Sequence, residues 1–91
     1  VDVYANWCGP CRALAPLLET YVGLYASGVR FVKVDVDSSP EIAEYFGVSA
    51  VPTLLFFRDG RAVGRLDGLP RTETVLTALD DLARRTGNRR F

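Results

Sequence analysis

The sequence predicts an α/β domain in the order β-α-β-α-β-β-α, with a four-stranded mixed sheet flanked by helices. Three observations point to it. Short apolar runs rich in β-branched residues alternate with stretches whose apolar residues recur at helical spacing. A strand-to-helix junction at Trp7-Cys8-Gly9-Pro10-Cys11 opens a first β-α-β unit, which must cross over right-handed and so makes its two strands parallel. Asp59-Gly60, between two later apolar runs, is a two-residue hairpin turn and makes those strands antiparallel.

Each element has its own signal. Residues 1–5 are apolar except for Asp2 and read as a buried strand. The stripe Leu14, Leu17, Leu18, Tyr21, Val22 and Tyr25 predicts a helix over residues 9–26, with Pro10 suited to its first turn and Ser27-Gly28 ending it. Pro16 should kink this helix, because the carbonyl of Arg12 loses its donor. Residues 29–36 read as the second strand, with Lys33 in its middle. Ser39-Pro40-Glu41 is a helix start (cap, first-turn proline, first-turn acid), and this short helix stops at Gly47. After a loop over residues 48–52 come strands over 53–58 and 61–66. The stripe Val75, Leu76, Leu79, Leu82 and Ala83 then marks a last helix over 72–85, broken by Gly87. Residues 1–87 form one domain, and residues 88–91 are expected to be a loose tail.

Composition narrows the chemistry. Ninety-one residues with 48% hydrophobic and 24% charged side chains suit one soluble globular domain rather than a disordered or membrane-spanning chain. Eleven basic and eleven acidic residues cancel, which gives no broad attraction to nucleic acid or acidic lipid. The arginines at 84, 85, 89 and 90 read as a solvated helix end favourable to the helix dipole. The absence of histidine removes Cys–His and Ser–His catalysis, and two cysteines alone cannot complete a tetrahedral zinc site. A purely structural Cys8–Cys11 disulfide would close so short a loop that it contributes only about 2 kcal/mol. Two sulfurs at the positive end of a helix instead suit a reactive thiolate and dithiol–disulfide exchange. The chain starts in mid-strand and has no methionine, so an upstream segment is expected to precede it. No signal peptide or membrane span is visible.

These residues resemble the thioredoxin family over residues 1–83. Trp7-Cys8-Gly9-Pro10-Cys11 is similar to the family's active-site pentapeptide. Ala15-Pro16, Val34-Asp35-Val36-Asp37, Val51-Pro52-Thr53-Leu54, Asp59-Gly60 and Gly68 match further signature positions in order and spacing. The resemblance implies a thioredoxin fold lacking its usual first strand and helix, roughly twenty residues by typical element lengths. Without them the outer edge of the second strand lies open, a hazard for swapping or dimerisation in an otherwise monomeric protein.

Cys8, just before the helix, is expected to be the exposed nucleophile, and Cys11, one turn further in, the shielded resolving thiol. Asp2 should be a buried carboxylate of raised pKa that accepts the Cys11 proton, and the resemblance pairs it with Lys33 on the adjoining strand. For Lys33 the alternative is a stem packed on the sheet with its head in solvent. The resemblance also implies a cis Val51–Pro52 bond facing the cysteines. Trp7, Gly9, Pro10, Val51, Pro52, Gly68 and Leu69 should together form an apolar docking surface. Asp67 departs from the family, which usually has an apolar residue there, and a carboxylate near Cys8 would disfavour the thiolate and favour basic-rich substrates. Tyr4 stands where many relatives carry tryptophan.

The expected function is reduction of protein disulfides, with a thioredoxin reductase as electron donor and no cofactor or metal beyond the Cys8–Cys11 disulfide. Neither nucleic acid nor membrane is an expected partner, and the expected location is cytoplasmic. An extracytoplasmic thiol–disulfide oxidoreductase and a binding module of a larger protein are the alternatives.

Overall fold

A computed structural model describes residues 1–25 and 28–88. Its elements run β1 (Asp2–Tyr4), α1 (Gly9–Gly23), β2 (Lys33–Asp35), α2 (Pro40–Tyr45), β3 (Thr53–Arg58), β4 (Arg61–Asp67) and α3 (Thr72–Asn88). The sheet order is β2-β1-β3-β4, with β1 parallel to β2 and antiparallel to β3, and β3 antiparallel to β4. The mixed sheet and the order of elements are those the sequence predicts. β2 is an edge strand, so its outer side is open among the described residues.

The packing follows from alternation along the strands. Leu54 and Phe56 of β3 face α1 and α3, joining Leu14, Leu18, Val75 and Leu79 in the main apolar cluster. Phe57 points the other way and meets Phe46, just after α2, edge to face at 5.5 Å. A second, smaller cluster of Ala5, Cys8 and Cys11 is closed by Tyr4, Val36 and Val51. It lies where β1 runs into α1.

Several boundaries differ from the sequence reading, and β1 is shorter than the expected residues 1–5. β2 is three residues long rather than eight, because its register pairs Asp2 with Lys33. Asp2 N–H still donates to the Val32 carbonyl at 2.8 Å, but residues 29–31 face no residue of β1. Among the described residues, the strand-forming Val29 and Phe31 have no ladder to join. α1 passes unbroken through Pro16 and ends at Gly23, earlier than expected; Ser27, expected to end it, lies outside the described residues. α3 runs through Gly87, whose cost of about 1 kcal/mol does not by itself stop a helix. Asn88 therefore belongs to the helix, and the rest of the expected tail, Arg89, Arg90 and Phe91, lies outside the described residues, as do the side chains of Arg84 and Arg85. β4 gains one residue, Asp67.

The turns agree more closely. Asp59 and Gly60 both have positive φ, 55° and 78°, the mirror-image turn that an Asp-Gly hairpin requires. Ser39 sits at the cap position of α2 but its side chain makes no capping bond. Its backbone N–H donates instead to the Asp35 carbonyl at 2.9 Å.

Candidate active site

Cys8 and Cys11 are joined in a disulfide, with Cα atoms 5.2 Å apart. Cys8 is the N-cap residue of α1, with extended φ and ψ of −89° and 110°. Its sulfur takes the place usually filled by a serine or aspartate oxygen and accepts the Cys11 N–H at 3.2 Å. The first-turn N–H groups and the helix dipole thus converge on Cys8, and both favour a negative sulfur there. Pro10 occupies the first turn, where its missing N–H costs nothing.

Exposure departs from the expectation of an open nucleophile. In the disulfide form Cys8 is only 5% exposed, against 1% for Cys11. The Val51 carbonyl oxygen covers the Cys8 sulfur at 3.8 Å. The ranking of the two sulfurs agrees with the expectation; the open access does not.

Around them the seven expected surface residues separate. Trp7 is 69% exposed and Leu69 63%, and Gly9 and Pro10 are also exposed. Val51 and Gly68 are half-buried. Pro52 is fully buried and lies beneath the surface rather than on it. The Val51–Pro52 bond is cis, as the resemblance implied. The Pro52 carbonyl accepts the Gly68 N–H at 2.8 Å, which joins the two loops on this side of the site.

Asp2 is fully buried, and neither carboxylate oxygen has a hydrogen-bond partner. Burial pushes its pKa up, because the charged form has lost its water; the positive charges of Lys33 and the chain amino group pull partly in the opposite direction. Lys33 is the register partner of Asp2, on the same face of the sheet. Its ammonium sits over the Tyr4 ring at 4.7 Å and makes no ion pair with the carboxylate. The exposed head and the expected neighbourhood to Asp2 therefore coexist.

Several contacts at the site were not anticipated. Trp7 Nε1 donates to Asp37 Oδ2 at 3.0 Å, and Asn6 Nδ2 to Asp35 Oδ2 at 3.3 Å. Asp35 Oδ1 also accepts the Asp37 N–H at 2.9 Å, so the turn after β2 props the turn that carries Trp7. Arg12 Nη1 donates to the Asn6 carbonyl at 2.8 Å from the other side. The available signal was Asp35-x-Asp37 at the end of the strand parallel to β1. Asp67 is not a lone charge near Cys8. Arg65 binds it, with Nη2 to Oδ1 at 2.7 Å, and that hydrogen bond holds the carboxyl below its usual range.

Among the described residues no cluster of three or more histidine, cysteine, aspartate or glutamate side chains could hold a metal ion. Nor is any described helix long and apolar enough to cross a membrane.

Comparison with known proteins agrees with this geometry. The Thioredoxin family model matches residues 1–81. The thioredoxin of Alicyclobacillus acidocaldarius is 42% identical over 82 residues, covering 90% of this chain and 78% of that protein. That of Chlamydia muridarum is 45% identical over 76 residues, covering 84% and 74%. Among solved structures, oxidised mitochondrial thioredoxin 3 of Saccharomyces cerevisiae superposes with a TM-score of 0.81 at 41% identity, covering 89% of this chain and 74% of that one. A second structure, described as concerning thiol resolution in a yeast mitochondrial 1-Cys peroxiredoxin by the glutathione/thioredoxin systems, matches at 40% identity with the same TM-score and the same coverage of both chains. With a capping cysteine bonded to its partner one turn on, inside this fold and this degree of likeness, the chain belongs to the thioredoxin family and is a thiol–disulfide oxidoreductase.

Proposed function

We propose that the chain reduces disulfides of other proteins, with Cys8 as attacking thiolate, Cys11 as resolving thiol and Asp2 as acceptor of the Cys11 proton. The observation that carries this assignment is the Cys8 sulfur at the cap of α1, accepting the Cys11 N–H. In the reduced protein that bond stabilises a thiolate at Cys8 in preference to Cys11. The thiolate attacks one sulfur of a substrate disulfide. A Cys8–substrate bond forms, and the other substrate sulfur leaves as a thiolate that takes a proton from water. Cys11 then gives its proton to the Asp2 carboxylate and attacks Cys8 Sγ, releasing the second substrate thiolate. Two electrons have passed to the substrate, and the Cys8–Cys11 disulfide remains for an external reductant.

Asp2 suits its role because a carboxyl of raised pKa holds a proton more readily than an ordinary one. Lys33 acts on it through its field alone. Trp7, Gly9, Pro10, Val51, Gly68 and Leu69 present the docking face, with Pro52 as its underlying support. Val51, half-buried beside Cys8, offers backbone groups to an extended substrate strand.

The donor is a thioredoxin reductase, and the Cys8–Cys11 disulfide is the one redox group. The protein acts as a monomer in the cytoplasm, a compartment consistent with a chain whose two cysteines both belong to the exchange site. Disulfide-forming peroxidases are one class of substrate, by similarity to the yeast structure that concerns a peroxiredoxin.

The cysteine variants test the roles. Cys8→Ser abolishes reduction of insulin disulfides, whereas Cys11→Ser accumulates a mixed disulfide that mass spectrometry detects and dithiothreitol releases. Turnover by Cys8→Ser at the wild-type rate would remove the assignment.

A further inference from the structure

Arg65 stands apart from the cysteines and takes no part in their chemistry, yet its guanidinium joins the end of α2 to the end of β4. Nη1 donates to the Phe46 carbonyl at 2.5 Å and Nη2 to the Gly47 carbonyl at 3.4 Å, both at the end of α2. Nε reaches Asp67 Oδ2 at 3.2 Å while Nη2 reaches Oδ1 at 2.7 Å, a two-point grip on the carboxylate. Asp67 Oδ1 in turn lies 3.3 Å from Thr53 Oγ1, whose hydroxyl also donates to the Ala50 carbonyl at 2.7 Å. Thr53 is fully buried, so the chain of contacts passes from surface to interior.

These partners bracket residues 48–52. Phe46 and Gly47 stand where that loop leaves α2, and Thr53 where it enters β3. Between them lies Val51, with its carbonyl against Cys8. We propose that Arg65, together with Asp67, is a positioning residue for the substrate wall of the site, fixing the Val51–Pro52 segment from both ends for an extended protein substrate. The inference rests on the reading of Val51 as a docking backbone.

An exposed ion pair by itself contributes little to stability. The value of this one is geometric. The planar fork of arginine fixes the end of α2 relative to the end of β4, which the point charge of lysine cannot reproduce. A loop already held in its binding conformation loses less freedom when a substrate strand docks. A small disulfide, which only has to reach Cys8, gains nothing from that.

The test compares second-order rate constants of the pre-reduced protein with insulin and with hydroxyethyl disulfide, a small uncharged substrate. Arg65→Met lowers the insulin rate about three- to tenfold, the equivalent of ordering one or two further side chains on binding. It changes the hydroxyethyl disulfide rate less than about twofold, within what surface substitutions ordinarily cause. Arg65→Lys keeps the charge but not the fork and also loses insulin rate. Circular dichroism confirms that each variant is folded. Equal losses on both substrates, an unchanged insulin rate in Arg65→Met, or full rescue by Arg65→Lys would each overturn the proposal. A wild-type protein inactive on both disulfides would overturn the function reading first, and the positioning role with it.

Discussion

Replacing Asp2 by asparagine removes one ionisable group from a site where the charged form has no partner. Both carboxylate oxygens are sealed from solvent and unbonded. In mutational data an unpaired buried polar group costs about 1–3 kcal/mol, and a charge costs more until it takes up a proton. The folded protein therefore keeps the Asp2 proton to higher pH than the unfolded chain, whose carboxyl titrates near the ordinary 3.8. Between those two values the native state binds more protons. Wild-type stability then falls as pH rises through that window and is level above it, each unit of displacement amounting to about 1.4 kcal/mol. Asp2→Asn has the same shape and no such slope. It is expected to be more stable than wild type at neutral pH, by the displacement of the folded-state pKa, and the gain vanishes below the ordinary carboxylate range. In a domain of this size that corresponds to about 4–8 °C in Tm for each kcal/mol. Urea denaturation of the oxidised protein across a pH series measures it. Parallel stability profiles for wild type and variant, or a less stable variant at neutral pH, would refute the picture of a carboxylate buried without a partner.

Two further expectations concern the frame. Leu79→Ala empties a buried position facing Leu14, Leu18 and Leu54 and should cost about 2–5 kcal/mol, read as a lower urea midpoint at unchanged slope. Gly68→Ala puts a side chain on a residue at φ 84°, where there is open space around the added carbon. Its cost is therefore conformational alone, about 1–2 kcal/mol by the same measurement, and a larger loss would mean a clash that the structure does not contain.

Much of this molecule was legible in its sequence because local chemistry and tertiary context agreed. The Cys8–Cys11 junction, the Asp59-Gly60 turn, β3 and the core stripe of α3 depend on short-range signals that the fold does not override. β2 shows the opposite case. Val29, Phe31 and Val32 have strand-forming side chains, but a strand needs a neighbour, and the register of β1 supplies one only from Val32 onward. Gly87 was read as a stop on propensity alone. The polar supports of the site were not legible for another reason. Trp7–Asp37 depends on where two turns come to lie in space, and the hold of Arg65 on the end of α2 depends on where α2 lies beside β4. Asp67 alone suggested a perturbing charge, and only its partner shows that charge to be matched. The expected exposure of Cys8 failed because its sulfur lies under the Val51 carbonyl, a loop contact that its place just before the helix does not reveal.

The sulfur that caps α1 has a consequence for the helix itself. An N–H that stabilises a thiolate is stabilised by it to the same extent, so the first turn of α1 is held most firmly when Cys8 carries charge. Oxidation, or attachment of a substrate, turns that acceptor into a neutral and poorer one. The Cys11 amide is then a built-in reporter of electron load, with its hydrogen exchange slowed in the dithiol form and quickened in the disulfide form. The turn that activates the sulfur also yields slightly each time the sulfur is used.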